Sequence, residues 1–169
     1  MLTLLRSALL AVLTLALLTV APPPPAGAAG GGGSEGAGTS AKPEDPQYSA
    51  AVKAIKANEY AKAIPLLEGV VARDDKNADA YNWLAYATRK NGVPAAALPL
   101  YQKALALDPK HKGAHEYIGE AYLMLDNLAK AKEHLRTLSS LCLITCAEYR
   151  DLKRAVDAYE KRGGKTKPT

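Results

Sequence analysis

The sequence predicts an all-α chain, an α-solenoid of three helix pairs closed by one terminal helix. From Glu44 onward, small and apolar residues recur with a period of 34 residues. Within each period, apolar residues fall at three- and four-residue spacing, the pattern of helices that bury one face. Beyond the third period, Tyr149, Leu152, Val156 and Tyr159 are spaced 3, 4 and 3 and form one further apolar stripe.

The elements follow in chain order. Arg6 precedes an uncharged apolar run from Ser7 to Ala21, and Ala26-Gly27-Ala28 fits a small-x-small cleavage site. This is the layout of a secretory signal peptide over residues 1–28. The run of about 15 residues falls short of the roughly 20 that a spanning helix needs, and Pro22 to Pro25 end any helix there. The expectation is export to the periplasm, or secretion, with no stable membrane insertion after cleavage. A retained N-terminal anchor is the alternative. Residues 29–43 are mostly Gly, Ala, Ser and Thr. Such a segment buries too little apolar surface to offset its chain entropy and reads as a flexible spacer.

The repeated part spans units 44–77, 78–111 and 112–145. Ala63, Ala97 and Ala131 are each 34 apart, as are Ala51, Ala85 and Gly119. Small residues at these positions let helix backbones approach, and a larger side chain there would overpack at a cost of about 1–3 kcal/mol. Asn58, Asn91-Gly92 and Asp126-Asn127 mark the turns between paired helices. Asp108-Pro109 ends the second unit, because proline cannot continue a helix. Pro65 and Pro99 recur early in the second helices, where each removes one backbone hydrogen bond. A helix over 146–162 follows, opened by a Thr145-x-x-Glu148 capping box and suited to covering the last apolar face of the array. Residues 163–169 are a basic tail.

A period of 34 residues is the tetratricopeptide signature. Asn77-Ala78-Asp79-Ala80-Tyr81-Asn82-Trp83-Leu84-Ala85 through Tyr101-Gln102-Lys103-Ala104-Leu105-Ala106-Leu107-Asp108-Pro109 resembles a near-consensus tetratricopeptide repeat. The third unit matches through Gly119, Ala121, Tyr122 and Ala131, and the first is the weakest. The chain also resembles small exported proteobacterial tetratricopeptide proteins. The shared stretches are His-Glu-Tyr-x-Gly-Glu-x-Tyr at His115 to Tyr122 and Cys-x-x-x-Cys-x-Glu-Tyr at Cys142 to Tyr149. The resemblance implies export and protein interaction, and it carries no catalytic residues.

In such arrays the first helices of successive units line a concave groove. The groove set on this reading is Tyr48, Val52, Ile55 and Lys56, then Asn82, Tyr86, Arg89 and Lys90, then Glu116, Glu120, Leu123 and Met124. Asn82 offers an amide to a peptide backbone, Arg89 and Lys90 offer charge to a carboxylate, and Tyr86 and Met124 offer apolar contact. Glu116 and Glu120 add negative charge beside them, and Trp83, Leu84 and Ala87 point towards neighbouring helices. The pattern lacks the Lys or Arg followed four residues on by Asn of carboxylate-clamp domains, since Tyr48 and Val52 stand there. The expected partner is a protein or peptide, with a solvated helix face as the plain alternative.

Other chemistry finds little support. Lys and Arg number 22 against 17 Asp and Glu, a formal net charge of +5, and no basic helix face indicates nucleic acid. No Ser/His/Asp arrangement, no phosphate-binding loop and no His-Glu-x-x-His motif is present, so neither an enzyme nor a cofactor is expected. His111 reads as a turn residue and His115 as a packing residue. Cys142 and Cys146, the only cysteines, flank a helix junction. In an oxidising compartment a disulfide is the simplest outcome. A metal site with His134, or a redox pair with Cys146 at a helix N-terminus, is the rival that would make the repeats a platform for thiol or metal chemistry.

Overall fold

The computed structural model describes residues 45–164. The expected signal peptide and spacer, and the tail from residue 165, lie outside the described residues. Seven helices and no strand occur among the described residues: α1 Pro46–Lys56, α2 Tyr60–Arg73, α3 Ala78–Lys90, α4 Pro94–Leu107, α5 Lys112–Met124, α6 Leu128–Leu141 and α7 Ala147–Lys161.

Local chemistry sets the ends. The Asp45 carboxylate accepts from the Gln47 amide at 2.8 Å and starts α1, with Pro46 at the first position. Asn77 caps α3 by accepting from the Ala80 amide at 2.9 Å, and Asn127 does the same for α6 from Lys130 at 3.1 Å. His111 is the N-cap of α5, its Nδ1 accepting from the Ala114 amide at 3.2 Å. The turns within pairs use left-handed backbone, at Asn58 with φ 60°, Gly92 with φ 93° and Asp126 with φ 57°. Pro65 and Pro99 sit inside α2 and α4 without ending them.

One expected cap differs. Cys146, with no side-chain cap bond, is the N-cap of α7, so Thr145 lies one residue outside and the Thr145-x-x-Glu148 box does not form. The Cys142 and Cys146 sulfurs are bonded, with Cα atoms 5.7 Å apart. That link holds Cys146 as the last non-helical residue. Glu148 remains in the first turn, where its charge favours the positive helix end.

Each helix packs on the next, and the odd-numbered helices also lie side by side, α1 on α3, α3 on α5 and α5 on α7. The small residues serve these approaches: Ala51, Ala63, Ala85, Ala97 and Ala131 are fully buried. Gly119 shows why the third unit has no Cβ at this register. A Cβ there would lie 2.6 Å from Leu152 Cδ2 of α7. Three apolar clusters run along the array. Leu67, Val70 and Leu84 centre the first, Tyr101 and Ile118 the middle one, and Leu138, Leu152, Val156 and Tyr159 the last. Among the described residues no helix is long and apolar enough to cross a membrane.

Between α5 and α6 two histidines meet. His115 Nδ1 and His134 Nδ1 are 2.9 Å apart, and His115 Nε2 is 3.0 Å from the Pro109 carbonyl. The carbonyl only accepts, so Nε2 of a neutral His115 carries its proton and Nδ1 accepts from His134 Nδ1–H. Burial, and then His115, lowers the His134 pKa to about 4, while Glu133 opposes and Lys130 reinforces the shift. The unfolded chain therefore takes up this proton more readily than the folded one. The stabilising contribution is complete above about pH 6.5, the usual histidine value, and is lost as pH falls towards 4. A His134→Gln variant is expected to lose less thermal stability than the parent between these limits. Equal slopes for both chains would exclude the role of His134.

Candidate functional site: the inner groove

The inner layer is built by α3 and α5, with α1 and α7 at its sides. The structure sorts the residues of the groove set into three kinds. Lys90 and Met124 are exposed, with Met124 at 41 %. Tyr48, Val52, Tyr86 and Glu120 are half-buried, and Lys56 is exposed. Ile55, Asn82, Arg89, Glu116 and Leu123 are buried.

Arg89 corrects the expectation that it offers charge to a partner carboxylate. It is 6 % exposed and held on several sides. One terminal nitrogen is 2.8 Å from the Glu120 carboxylate, and Nε donates to the Tyr101 hydroxyl at 3.3 Å. Its guanidinium lies over the Tyr86 and Tyr117 rings, 5.3 and 5.7 Å from their centroids. Arg89 thus ties α3 to α4 and α5. Burial, opposed by the Arg89 charge, pushes the Tyr101 hydroxyl well above its ordinary pKa, so it stays protonated. Lys90 is exposed and makes no ion pair among the described residues; it lies 5.8 Å from the Tyr60 ring centroid.

Around Arg89 stands an aromatic cluster. Tyr86 is 6.1 Å from Tyr60, 5.6 Å from Trp83 and 4.8 Å from Tyr117, centroid to centroid. Trp83 and Tyr117 are 6.4 Å apart. All four rings are half-buried, so part of each apolar surface stays accessible. Tyr60, Trp83 and Tyr117 were not in the sequence-derived groove set. Trp83 does pack towards neighbouring helices as expected, through its contact with the first apolar cluster, but part of it stays accessible. A signal was available: Trp83 and Tyr117 are 34 apart, so they occupy one register of adjacent repeats.

Asn82 and Glu116 are likewise 34 apart and form the floor. Asn82 is 3 % exposed, and its Oδ1 has no hydrogen-bond partner. Its amide nitrogen lies 3.6 Å from where a Gly113 Cβ would stand, one turn before Glu116 on α5. Glu116 is 8 % exposed, and among the described residues it makes no ion pair. Burial raises its pKa to about 8, reinforced by Glu120, Asp151 and Glu148 and opposed by Arg89.

The other candidates fall elsewhere. The cysteines are paired at the α6–α7 junction, and His134 is occupied with His115. Among the described residues no group of three or more His, Cys, Asp or Glu is placed to hold a metal ion. Leu143 and Ile144, inside the Cys142–Cys146 loop, are almost fully exposed.

The tetratricopeptide repeat family matches the chain twice, over residues 48–112 and 89–141. Together the matches run from 48 to 141, more than half of the chain, and the chain belongs to this family. No curated protein sequence matches it. Among solved structures it is similar to the type III secretion translocator chaperone SycD of Yersinia enterocolitica. That likeness has 17% identity and a TM-score of 0.62, and covers 69% of this chain and 83% of the other. The first repeat domain of Spaghetti (RPAP3), bound to an HSP90 peptide, has 21% identity, a TM-score of 0.60 and coverage of 68% and 90%. MamA from Desulfovibrio magneticus RS-1 has 29% identity and a TM-score of 0.55 over 56% of this chain and 54% of that one.

Proposed function

We propose that this chain is an exported, periplasmic scaffold or adaptor that holds a segment of another protein in its inner groove and catalyses no reaction. The half-buried aromatic cluster of Tyr60, Trp83, Tyr86 and Tyr117 carries this reading. Rings of this kind gain contact area on binding at small cost in side-chain entropy. Lys90 and Met124 flank the cluster as exposed polar and apolar contacts. Support also comes from neighbours of the same fold that were solved with peptides, SycD with a peptide of the translocator YopD and the RPAP3 repeat with an HSP90 peptide. Export rests on the charge, apolar run and small-residue site of residues 1–28. The rival thiol or metal reading is weakened by the bonded state of Cys142 and Cys146.

The test uses exposed residues, and the circular-dichroism melt controls for the Met124 sulfur contact with Arg89 at 3.9 Å. Lys90→Glu combined with Met124→Glu changes two exposed positions of the inner face. Capture of a partner from the native cell is expected to fall on the order of tenfold, with an unchanged circular-dichroism melt. Unchanged capture would move the site off the groove.

A further inference from the structure

Asn82 and Glu116 pose a chemical problem that the repeat fold alone does not solve. Both present acceptors at one register of adjacent repeats, with Asn82 packed against the turn of α5 that leads to Glu116. The Asn82 Oδ1 is buried with no donor, although nearly all buried polar atoms find one. Glu116 is more than nine-tenths buried and has no ion-pair partner among the described residues. The Arg89 charge, which opposes the rise of the Glu116 pKa, is already used, because Arg89 pairs with Glu120 at 2.8 Å. On α7, Asp151 pairs with Arg154 at 2.7 Å, whereas Glu148 has no ion pair among the described residues. The floor therefore carries unmatched acceptor capacity at Asn82, and Glu116 adds a negative charge there once it ionises. The next residue in each repeat is aromatic: Trp83 and Tyr117 are 6.4 Å apart, and their ring faces favour a cation.

We propose that the floor of the groove at Asn82 and Glu116 receives a cationic side chain, a lysine or arginine, of the bound protein segment. This rests on the groove reading above and gives the partner its chemistry. An ammonium or guanidinium group supplies donors to the Glu116 carboxylate and to the Asn82 amide oxygen, and it sits against the aromatic edges. A carboxylate in the same place would face Glu116, Glu120, Glu148 and Asp151. The site is thus opposite in sign to a clamp for an acidic C-terminus. Binding is linked to protons. With its pKa raised to about 8, Glu116 is largely protonated at neutral pH, and a bound cation favours its ionised form. The groups that set this balance are Glu120 on α5, Asp151 and Glu148 on α7, and Arg89 on α3. Affinity for a lysine-bearing segment therefore rises as pH increases through this range, while lysine itself stays charged.

Trp83 is the only tryptophan of the chain, directly follows Asn82 and is half-buried, so its fluorescence reports occupancy of the floor. The protein is titrated with three blocked peptides of equal length, alanine–lysine, alanine–glutamate and alanine–norleucine. The lysine peptide is expected to bind on the order of tenfold tighter than either other, with affinity increasing between about pH 6.5 and about pH 8.5. Glu116→Gln is expected to remove both the preference and the pH dependence. This variant replaces a carboxyl that is already largely neutral, so it keeps the fold. Tighter binding of the glutamate peptide, or equal binding of the norleucine peptide, overturns the cationic assignment and leaves the groove reading standing. Failure of all three to bind overturns the pocket. The groove reading itself falls only with unchanged partner capture by the Lys90→Glu, Met124→Glu chain.

Discussion

A chain ending at Thr145 is expected to lose the third repeat as a folded unit, and Leu152→Ala to lower the melting temperature by on the order of 10 °C. Leu152 is fully buried, and its methyl groups fill the space left by the missing Cβ of Gly119. Val156 and Tyr159 complete the stripe and pack with Leu123, Ala131 and Leu138. The Tyr159 hydroxyl also donates to the Asp126 carboxylate at 3.0 Å, next to the α5–α6 turn. Each large side chain of this kind contributes roughly 1.5–3 kcal/mol on burial. Losing three is a large share of the about 5–15 kcal/mol that holds a typical domain together. The truncated chain should also expose Leu123 and Leu138 and aggregate. Thermal and urea unfolding of Leu152→Ala, with Leu143→Ala as the exposed control, decide the matter. A Leu152→Ala melt within about 2 °C of the parent would show that α7 does not close the array.

The helices were legible in the sequence because helix pairs repeat a pattern that local physics dictates. Small residues at Ala51, Ala85 and Gly119 mark close approach, and Asn58, Gly92 and Asp126 mark left-handed turns. The reason for Gly rather than Ala at 119 was not legible, because it lies in Leu152, 33 positions away. The cap of α7 was misread for a similar reason. The Thr145–Glu148 spacing is a local signal, and the Cys142–Cys146 bond overrode it. The groove was legible as a face but not as a site. Counting along α3 places Asn82, Tyr86, Arg89 and Lys90 on one side, yet cannot say which of them neighbours will bury. Arg89 goes under because Tyr101, two turns into α4, and Glu120 on α5 both offer it partners. The His115–His134 contact joins two helices and had no sequence signal beyond the presence of two histidines.

Arg89→Ala is expected to destabilise the fold by about 1–3 kcal/mol, because it strands the buried Tyr101 hydroxyl and leaves the half-buried Glu120 without its counter-ion. Glu120 would lose its 2.8 Å counter-ion, and the fully buried Tyr101 would lose the donor to its hydroxyl. Tyr86 and Tyr117 would face a cavity where the guanidinium now lies against both rings. Glu116 would feel the change too, since Arg89 is the one cation opposing the rise of its pKa. The neighbouring cation behaves differently. Lys90 is exposed, so Lys90→Ala should change stability by no more than about 0.5 kcal/mol. A paired substitution separates charge from packing. Arg89→Met with Glu120→Gln keeps much of the volume and removes both charges together, and it should recover a substantial part of the loss. Urea unfolding of the four chains at one pH measures this directly. Equal midpoints for Arg89→Ala and Lys90→Ala would mean that Arg89 is a surface residue of the groove after all, free to meet a ligand and not needed to tie α3 to α4 and α5.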